Sequence, residues 1–223
     1  MKYFVMKEPV IGNVFPQVHK YIKGYDPEAH HALFSLYDYV DSLPDYVPDL
    51  DGMMLAGSAK LTDFLSSAFT RMFIMSEKAK SVLEQYHLPL HQFYPLGLYK
   101  RKIKHDYFLF KYVSNYSDFV DYERTSFKEE YLIRRYDSMP FFIKSKEEYW
   151  ERRQKIKAEK GDFWTISGDK IVMNKDFDHE LDFFEICILD SNTYVSERLK
   201  NAIEAAGLTG WEFTPATNLI VED

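Results

Sequence analysis

Hydrophobic positions along this chain fall mostly in short runs with the period of β-strands. Residues 2–7 (KYFVMK) and 106–113 (DYFLFKYV) are rich in aromatic and β-branched side chains, which favours strands. A further strand is predicted at 182–189 (DFFEICIL), and LIRRYDSMPFFI has a strand-like pattern that Pro140 interrupts. Alternation on both sides of Gly168 in WTISGDKIVM predicts a β-hairpin with its tight turn at Ser167-Gly168-Asp169.

Two other stretches have helical spacing and helix-end signals. Residues 145–160 are highly charged, Ser145 and Glu148 form a capping-box pattern, and Gly161 stands where a left-handed C-terminal residue is expected. An apolar stretch at 72–75 precedes a second helix and a turn. The pattern predicts an α+β fold with a mostly antiparallel sheet and short packed helices. We expect one compact domain over 1–223, with a subdivision near 100–105 between two repeat-bearing halves as the alternative.

An internal repeat links two distant parts of the chain. Residues 75–95 (MSEKAKSVLEQYHLPLHQFYP) align without a gap on 195–215 (VSERLKNAIEAAGLTGWEFTP). Seven of the 21 positions are identical, whereas average composition predicts roughly one or two. The identical pairs are Ser76/Ser196, Glu77/Glu197, Lys80/Lys200, Glu84/Glu204, Leu88/Leu208, Phe93/Phe213 and Pro95/Pro215.

Each copy of the repeat has the features of a capped, amphipathic helix followed by a strand. Ser76 and Ser196 are predicted N-caps, and Gly207 ends the second helix. Duplication of a helix-turn-strand unit accounts for the identical polar positions, which packing alone would not select twice. Convergence of two capped helices on similar residues is the alternative. The inward-facing residues are predicted to be Ala79, Val82, Leu83 and Tyr86 in one copy, and Leu199, Ala202, Ile203 and Ala206 in the other.

Composition and charge narrow the class of protein. Lys7, Glu8 and Pro9 interrupt the first apolar run, so neither a secretory signal nor a membrane span is predicted. The single cysteine, Cys187, is expected to be a buried, inert thiol, and a cytoplasmic location fits the lack of a disulfide framework. A net charge of −7 disfavours nucleic acid and anionic membranes as partners and favours a basic one.

Searches for catalytic and metal-binding patterns give no candidate site. The chain has no G-x-S-x-G, P-loop or G-x-G-x-x-G motif. His30 and His31 are adjacent and therefore point apart, and Pro89 separates His87 from His91. The basic run at 100–104 is interpreted as a solvated loop. We expect no enzyme activity, metal or cofactor; a small hydrolase or metal-dependent enzyme without a recognisable motif is the alternative.

Acidic and aromatic residues alternate in the segment 26–51, which contains no lysine or arginine. Such a surface can steer toward a basic partner and then anchor on it with rigid rings. The competing interpretation is a solvated, turn-rich flank whose tyrosines pack on the core. The candidate partner-binding residues are Asp38, Tyr39, Asp41, Asp45 and Tyr46.

The second repeat copy resembles the closing motif of a bacterial immunity-protein family, the one numbered eleven in polymorphic-toxin systems. The matching residues are Val195, Ser196, Leu199, Lys200, Ala202, Ile203, Glu204, Ala206, Gly207, Leu208, Gly210, Phe213 and Pro215. A looser match to the family's middle segment involves Tyr107, Asp118, Asp121 and Ser126.

The resemblance implies a protein made beside a toxin, which it binds and neutralises without catalysis. The cognate toxin, with a basic surface, is the expected partner. The structural motif of the two copies comprises Ser76, Phe93, Pro95, Ser196, Gly207, Gly210, Phe213 and Pro215.

Overall fold

The computed structural model describes residues 1–8, 14–69, 71–134, 136 and 138–222. Within these residues the α-helices are α1 (Glu77–Leu83), α2 (Lys146–Lys160) and α3 (Glu197–Ala205), and 3-10 helices span Leu33–Asp38 and Tyr116–Phe119. The strands are β1 (Tyr3–Lys7), β2 (Val18–Tyr21), β3 (Asp51–Leu55), β4 (Phe64–Leu65), β5 (Met72–Met75), β6 (His91–Lys100), β7 (Ile103–Tyr112), β8 (Ser126–Tyr131), β9 (Phe141–Phe142), β10 (Trp164–Val172), β11 (Phe183–Glu185), β12 (Thr193–Ser196), β13 (Glu212–Pro215) and β14 (Leu219–Ile220).

The strands form three sheets, with the orders β2-β3-β6-β7-β5-β4, β14-β10-β8-β9 and β11-β12-β1-β13. Most of the strand pairs with a determined register are antiparallel, and the parallel ones are β3 with β6 and β10 with β14. The predicted α+β class, with mostly antiparallel sheets and short helices, is therefore confirmed. No helix in the described part of the chain is both long and apolar enough to span a membrane.

The chain divides into two compact units by its internal contacts. The first unit comprises Met1–Val5, Asn115–Ser196 and Pro215–Asp223, and the second comprises Met6–Ser114 and Glu197–Thr214. Each unit has its own cluster of buried hydrophobic residues. The alternative boundary between two halves of the chain, near 100–105, falls in the turn that joins β6 to β7. This turn lies inside the second unit.

Helix α2 of the first unit has the ends that its sequence predicts. The Ser145 hydroxyl accepts a hydrogen bond from the Glu148 backbone N–H at 3.2 Å, and the Glu148 carboxylate accepts one from the Lys144 N–H at 2.8 Å. At the other end Gly161 has φ +102°, a conformation that strongly favours glycine. The helix is tied to the core by Tyr149, whose hydroxyl lies 2.7 Å from the Ile188 carbonyl and 3.1 Å from that of Ile166.

The hairpin predicted around Gly168 is wrong, because β10 continues through this residue as one strand. Its pairing with β8 shifts register between Gly168 and Lys170, which marks a β-bulge. A Cβ atom at Gly168 would lie 2.5 Å from Cγ1 of the buried Ile171, and the Gly168 N–H donates to the Leu189 carbonyl at 2.6 Å. The glycine therefore allows close packing at a bulge rather than a chain reversal.

Two further strand predictions were too long. The strand predicted at 182–189 ends at Glu185, and Cys187 adopts φ +46°, which is incompatible with a continuing strand. The Cys187 thiol is half-buried rather than buried, and its sulfur lies 3.8 Å from Oε2 of Glu185. In LIRRYDSMPFFI only Phe141–Phe142 forms a strand among the described residues.

The long hairpin of β6 and β7 lies in the middle of the six-stranded sheet of the second unit. Its strands pair without interruption from His91 opposite Tyr112 to Lys100 opposite Ile103. Tyr94 and Leu109 are directly opposite each other in this pairing, so their side chains lie on the same face of the sheet. Both residues belong to the buried cluster of this unit. The 3-10 helix Leu33–Asp38 contributes to the same cluster through Leu33 and Leu36.

The two repeat copies occur in similar strand arrangements. In one, α1 connects β5 to β6 and the local strand order is β4-β5-β7-β6; in the other, α3 connects β12 to β13 in the order β11-β12-β1-β13. In both orders a third strand, β7 in one and β1 in the other, separates the two strands that the helix connects. The fully buried residues of the helices include the predicted pairs Ala79 with Leu83 and Leu199 with Ile203.

Candidate partner interface

The acidic and aromatic segment 26–51 is anchored on the sheet of the second unit by three leucines. Leu33, Leu36 and Leu50 are almost completely buried, although the residues around them are largely exposed. The Asp49 N–H donates to the His31 carbonyl at 2.8 Å, and this bond fixes the two ends of the segment against each other. The anchoring leaves Phe34, Tyr37, Val40 and Val47 among the exposed large hydrophobic residues of the chain.

Aromatic rings form a row near the middle of this segment. The ring of His31 lies between those of His30 and Tyr46, with both centroid separations at 3.8 Å, and Tyr39 meets Tyr46 edge-on at 6.0 Å. The Tyr46 hydroxyl lies 2.6 Å from Oγ of Ser35, which in turn donates to the Ala32 carbonyl at 2.7 Å. Tyr46 is thus held by its neighbours.

Tyr39 is held less tightly than Tyr46, although its side chain is partly buried. Its ring contacts Tyr46, and its backbone N–H donates to the Leu36 carbonyl at 3.3 Å. Partial burial raises the pKa of the Tyr39 hydroxyl, and nearby Tyr46 and Asp45 raise it further. The hydroxyl is therefore a neutral hydrogen-bond donor over the physiological pH range.

Six of the seven acidic residues of the segment, all except Glu28, divide into two groups. Three of them are used within the protein: Asp26 and Asp49 accept bonds from the backbone N–H groups of Glu28 and Asp51, both at 3.0 Å, and Asp51 forms an ion pair with Lys104 at 2.7 Å. Hydrogen bonding to Lys104 lowers the pKa of Asp51.

The second group consists of the predicted residues Asp38, Asp41 and Asp45. All three are exposed, and none makes a hydrogen bond or ion pair within the part of the chain that the structure describes. The segment has no lysine or arginine of its own. The structure thus places three exposed carboxylates and two partly buried tyrosines in one stretch of the chain.

The predicted motif residues of the two repeat copies lie at matching places in their elements. Ser76 precedes α1 and caps it, since its hydroxyl accepts from the Ala79 N–H at 3.2 Å, and Ser196 immediately precedes α3. Phe93 on β6 and Phe213 on β13 are both half-buried, and Pro95 and Pro215 are both exposed. The duplication itself stays a prediction.

Glycines close the second copy of the motif. Gly207 has φ +62° after α3, and its N–H donates to the Glu204 carbonyl at 2.9 Å. Gly210 has φ +105° and lies against the backbone of β4, where a Cβ atom would be 2.0 Å from the Phe64 carbonyl oxygen. Both positions therefore disfavour any residue with a side chain, because the backbone has a positive φ. At Gly210 there is also no space for a Cβ atom.

Histidines and carboxylates do not converge on a metal-binding geometry in the described ranges. No group of three or more His, Cys, Asp or Glu side chains there has a suitable arrangement. His30 and His31 stack on each other, and the His91 ring nitrogen Nδ1 lies 2.8 Å from the Pro89 carbonyl.

Two polar residues beneath the segment, Tyr94 and Lys111, were not among the site residues predicted from the sequence. Both are almost completely buried on the inward face of the β6–β7 hairpin. A signal for Lys111 was present, because it has the same strand parity as the inward residues Tyr107 and Leu109. An inward lysine in an otherwise apolar row is unusual.

Comparison with known families gives a match over nearly the whole chain. The model of an immunity protein family (Imm11) matches residues 13–218, which includes the acidic segment and both repeat copies. No curated protein matches the sequence.

Proposed function

We propose, for a chain that belongs to the immunity protein family Imm11, that it binds a cognate bacterial toxin and neutralises it as a stoichiometric inhibitor. The family membership is the single observation that supports this role most directly. It agrees with the resemblance found in the second repeat copy. The proposed neutralisation needs no catalytic step by this chain, because a bound protein can occupy a cleft and exclude the toxin's target.

The acidic segment is the surface that we propose for toxin binding. Asp38, Asp41 and Asp45 are exposed and make no hydrogen bond or ion pair with the described residues, so their charge is available to a partner. Exposed charges of one sign attract an oppositely charged surface over about 10 Å at moderate ionic strength. A toxin that acts on an anionic substrate needs a basic cleft, and such a cleft would be attracted to this surface.

Short-range binding would follow through the aromatic residues of the same segment. The side chain of Tyr39 is restrained by Tyr46, whereas that of Tyr46 is also fixed by Ser35 and His31. Tyrosine rings bury a large area and lose little rotamer entropy, which makes them effective central contacts. The segment thus combines charges that accelerate association with rings that slow dissociation.

Co-expression in bacteria tests this role. Cells that express the toxin domain encoded beside this gene should stop growing, and expression of this chain should restore growth. A toxin from an unrelated system should not be neutralised, which controls for a general effect on toxin synthesis. Cells that are killed equally with and without this chain would contradict the proposal.

A further inference from the structure

The hydroxyl of Tyr94 is a buried polar group without a hydrogen-bond partner among the described residues. The residue is only 2% exposed and lies on β6, in the middle of the sheet of the second unit. More than nine-tenths of buried polar groups in proteins have a partner, and an unpaired one destabilises the folded state. The position therefore needs a physical explanation.

Lys111 lies beside Tyr94 and is also buried, at 3% exposure. It stands opposite Met72 on β5 and Gln92 on β6, and Met72 belongs to the buried hydrophobic cluster. Its ammonium group makes no hydrogen bond or ion pair with the described residues. A lysine is rarely buried without a carboxylate in contact, because the charge loses its hydration.

The two groups project from the same face of the hairpin. Tyr94 pairs with Leu109 and Gln92 pairs with Lys111, so Tyr94 and Lys111 are diagonal neighbours on adjacent strands. Side chains in this relation start roughly 7 Å apart, and long ones can reach the same point. An unpaired hydroxyl and an ammonium group without a hydrogen bond or ion pair among the described residues therefore start from the same face of the hairpin.

The acidic segment packs on this face of the hairpin, because its Leu33 and Leu36 belong to the same buried cluster as Tyr94. Tyr94 interacts electrostatically with Tyr39 and Tyr46, and Lys111 interacts with Asp41 and with Arg71. The surrounding charges are therefore two cations and one carboxylate, and the carboxylate is not within ion-pair distance of Lys111. An anion fits this environment better than a cation or a neutral group.

We propose that Tyr94 and Lys111 form a binding site for an oxyanion, a carboxylate or phosphate, beneath residues 39–46. The hydroxyl of Tyr94 donates one hydrogen bond to the anion, and the ammonium of Lys111 donates another and neutralises its charge. A bound anion satisfies both donors at once, whereas a water molecule would leave the lysine charge uncompensated.

The oxyanion can come from a small molecule or from an acidic side chain of the partner. Thermal unfolding with sodium phosphate or sodium acetate, against sodium chloride at equal ionic strength, tests the first source. At about a hundred times its Kd the anion should raise the melting temperature by about 5 °C or more. Both Tyr94→Phe and Lys111→Met should abolish the rise, and neither should prevent folding, because neither removes a hydrogen bond or ion pair among the described residues.

Matched controls come from the same sheet. Tyr107 is also buried, but its hydroxyl donates to the Thr62 carbonyl at 2.9 Å, and Lys100 donates to the Ala59 carbonyl at 2.8 Å. Tyr107→Phe and Lys100→Met should therefore keep the response to the anion, although they remove satisfied hydrogen bonds.

The second source is tested by binding to the toxin domain, and this arm rests on the proposed function. If an acidic side chain of the toxin enters the site, Lys111→Met should weaken toxin binding about tenfold or more, and saturating phosphate should do the same. If anions stabilise the protein but have no effect on toxin binding, the natural ligand of the site is a small molecule. That result would support the site even if this chain neutralises no toxin. The proposed site would be wrong if anions do not raise the melting temperature and Lys111→Met does not weaken toxin binding. It would also be wrong if Tyr94→Phe and Lys111→Met both keep the wild-type rise in melting temperature with the anion.

Discussion

Ser76 is joined to Asp63 by two hydrogen bonds, one from its hydroxyl to the carboxylate at 2.9 Å and one from its backbone N–H to the Asp63 carbonyl at 2.7 Å. Ser196 has the same relationship to Asp182: its hydroxyl donates to the carboxylate, and its N–H donates to the carbonyl at 3.0 Å. Each serine immediately precedes a helix of the internal repeat.

The correspondence continues into the strands that precede these helices. Each aspartate is followed by a phenylalanine that pairs with the residue before the serine: Phe64 with Met75, and Phe183 with Val195. These aspartates lie outside the aligned segments 75–95 and 195–215. The shared pattern supports duplication of a longer unit, from the strand carrying Asp-Phe to the strand carrying Phe-x-Pro.

The two serines should differ in how much they stabilise the fold. Asp182 is completely buried, whereas Asp63 is half-buried, so the loss of a donor leaves a larger desolvation penalty at Asp182. We expect Ser76→Ala to lower the unfolding free energy by about 1 kcal/mol, mainly through the helix cap, and Ser196→Ala by about 2–3 kcal/mol. Urea unfolding of both variants measures this difference. Equal losses, or a larger loss for Ser76→Ala, would show that burial of the aspartate does not decide the effect.

Local signals predicted the helices and most strands well, because caps and alternating hydrophobic residues act over a few positions. Ser145 caps α2 and Gly161 ends it, as predicted, whereas the Glu148 carboxylate accepts from the Lys144 N–H instead of completing the capping box at Ser145. Gly168 shows the limit of such signals. A glycine flanked by alternating residues fits a tight turn or a bulge equally well. At Gly168 the need for glycine comes from tertiary packing, because the Ile171 side chain occupies the space that a Cβ would need.

The candidate interface was only partly predictable from the sequence. The charges of Asp38, Asp41 and Asp45 are evident in the sequence, but their freedom from ion pairs depends on where distant cations lie. Asp51 illustrates this, because Lys104 on β7 pairs with it across the single intervening strand β6. The unpaired state of Tyr94 likewise depends on the sheet register and on the fold of segment 26–51.

Glu8 should make the stability of the protein depend on pH. Burial raises the pKa of the Glu8 carboxyl group from 4.5 to about 7, and a hydrogen bond with the Ser67 backbone lowers it by a smaller amount. The folded state therefore binds the proton more tightly than the unfolded chain, so the stabilisation is complete below about pH 4.5 and is lost as pH rises through about 7. This difference in pKa between the folded and unfolded states corresponds to about 3 kcal/mol of unfolding free energy. Glu8→Gln should be more stable than the wild type at pH 8 by an amount of this order, with little difference at pH 4.5.

The exposed Glu123 provides the control for this experiment, because it makes no hydrogen bond or ion pair with the described residues. Glu123→Gln should leave the pH dependence of the melting temperature unchanged. A Glu8→Gln variant whose stability follows the wild-type curve from pH 4.5 to pH 8 would show that Glu8 titrates normally.

Neutralising Asp38, Asp41 and Asp45 should slow association with the toxin. Replacement of all three by asparagine removes long-range attraction, so the association rate should fall by about tenfold at low salt and depend less on ionic strength. Thermal stability should fall only slightly, because the three side chains make no internal ion pair and only Asp41 attracts the buried Lys111 from beyond ion-pair distance. Stopped-flow mixing with the toxin domain at several salt concentrations measures both effects.

A control with the same change of charge comes from acids elsewhere on the surface. Glu123, Asp176 and Glu212 are exposed, and their joint replacement by the matching amides should leave the association rate nearly unchanged. If the control slows association as much as the triple aspartate variant, overall charge rather than the acidic segment attracts the toxin.

Tyr39→Ala should accelerate dissociation of the toxin. If the ring is a central contact, its loss should weaken binding by about 2 kcal/mol, which corresponds to a roughly thirtyfold faster dissociation rate. Folding should be affected less than by Tyr46→Ala, because Tyr46 also bonds Ser35 and stacks on His31. Surface plasmon resonance and thermal unfolding separate the two quantities. Unchanged dissociation together with a clear loss of stability would assign Tyr39 to the core instead.

Titration of the purified toxin domain with this chain tests stoichiometric inhibition most directly. Calorimetric binding and residual toxin activity should be followed in the same series of ratios. The proposed function predicts that binding saturates and that activity disappears at the same molar ratio, one chain for each toxin. Loss of activity at a small fraction of one equivalent, with an altered toxin as the product, would show that this chain acts as an enzyme and would contradict inhibition by binding.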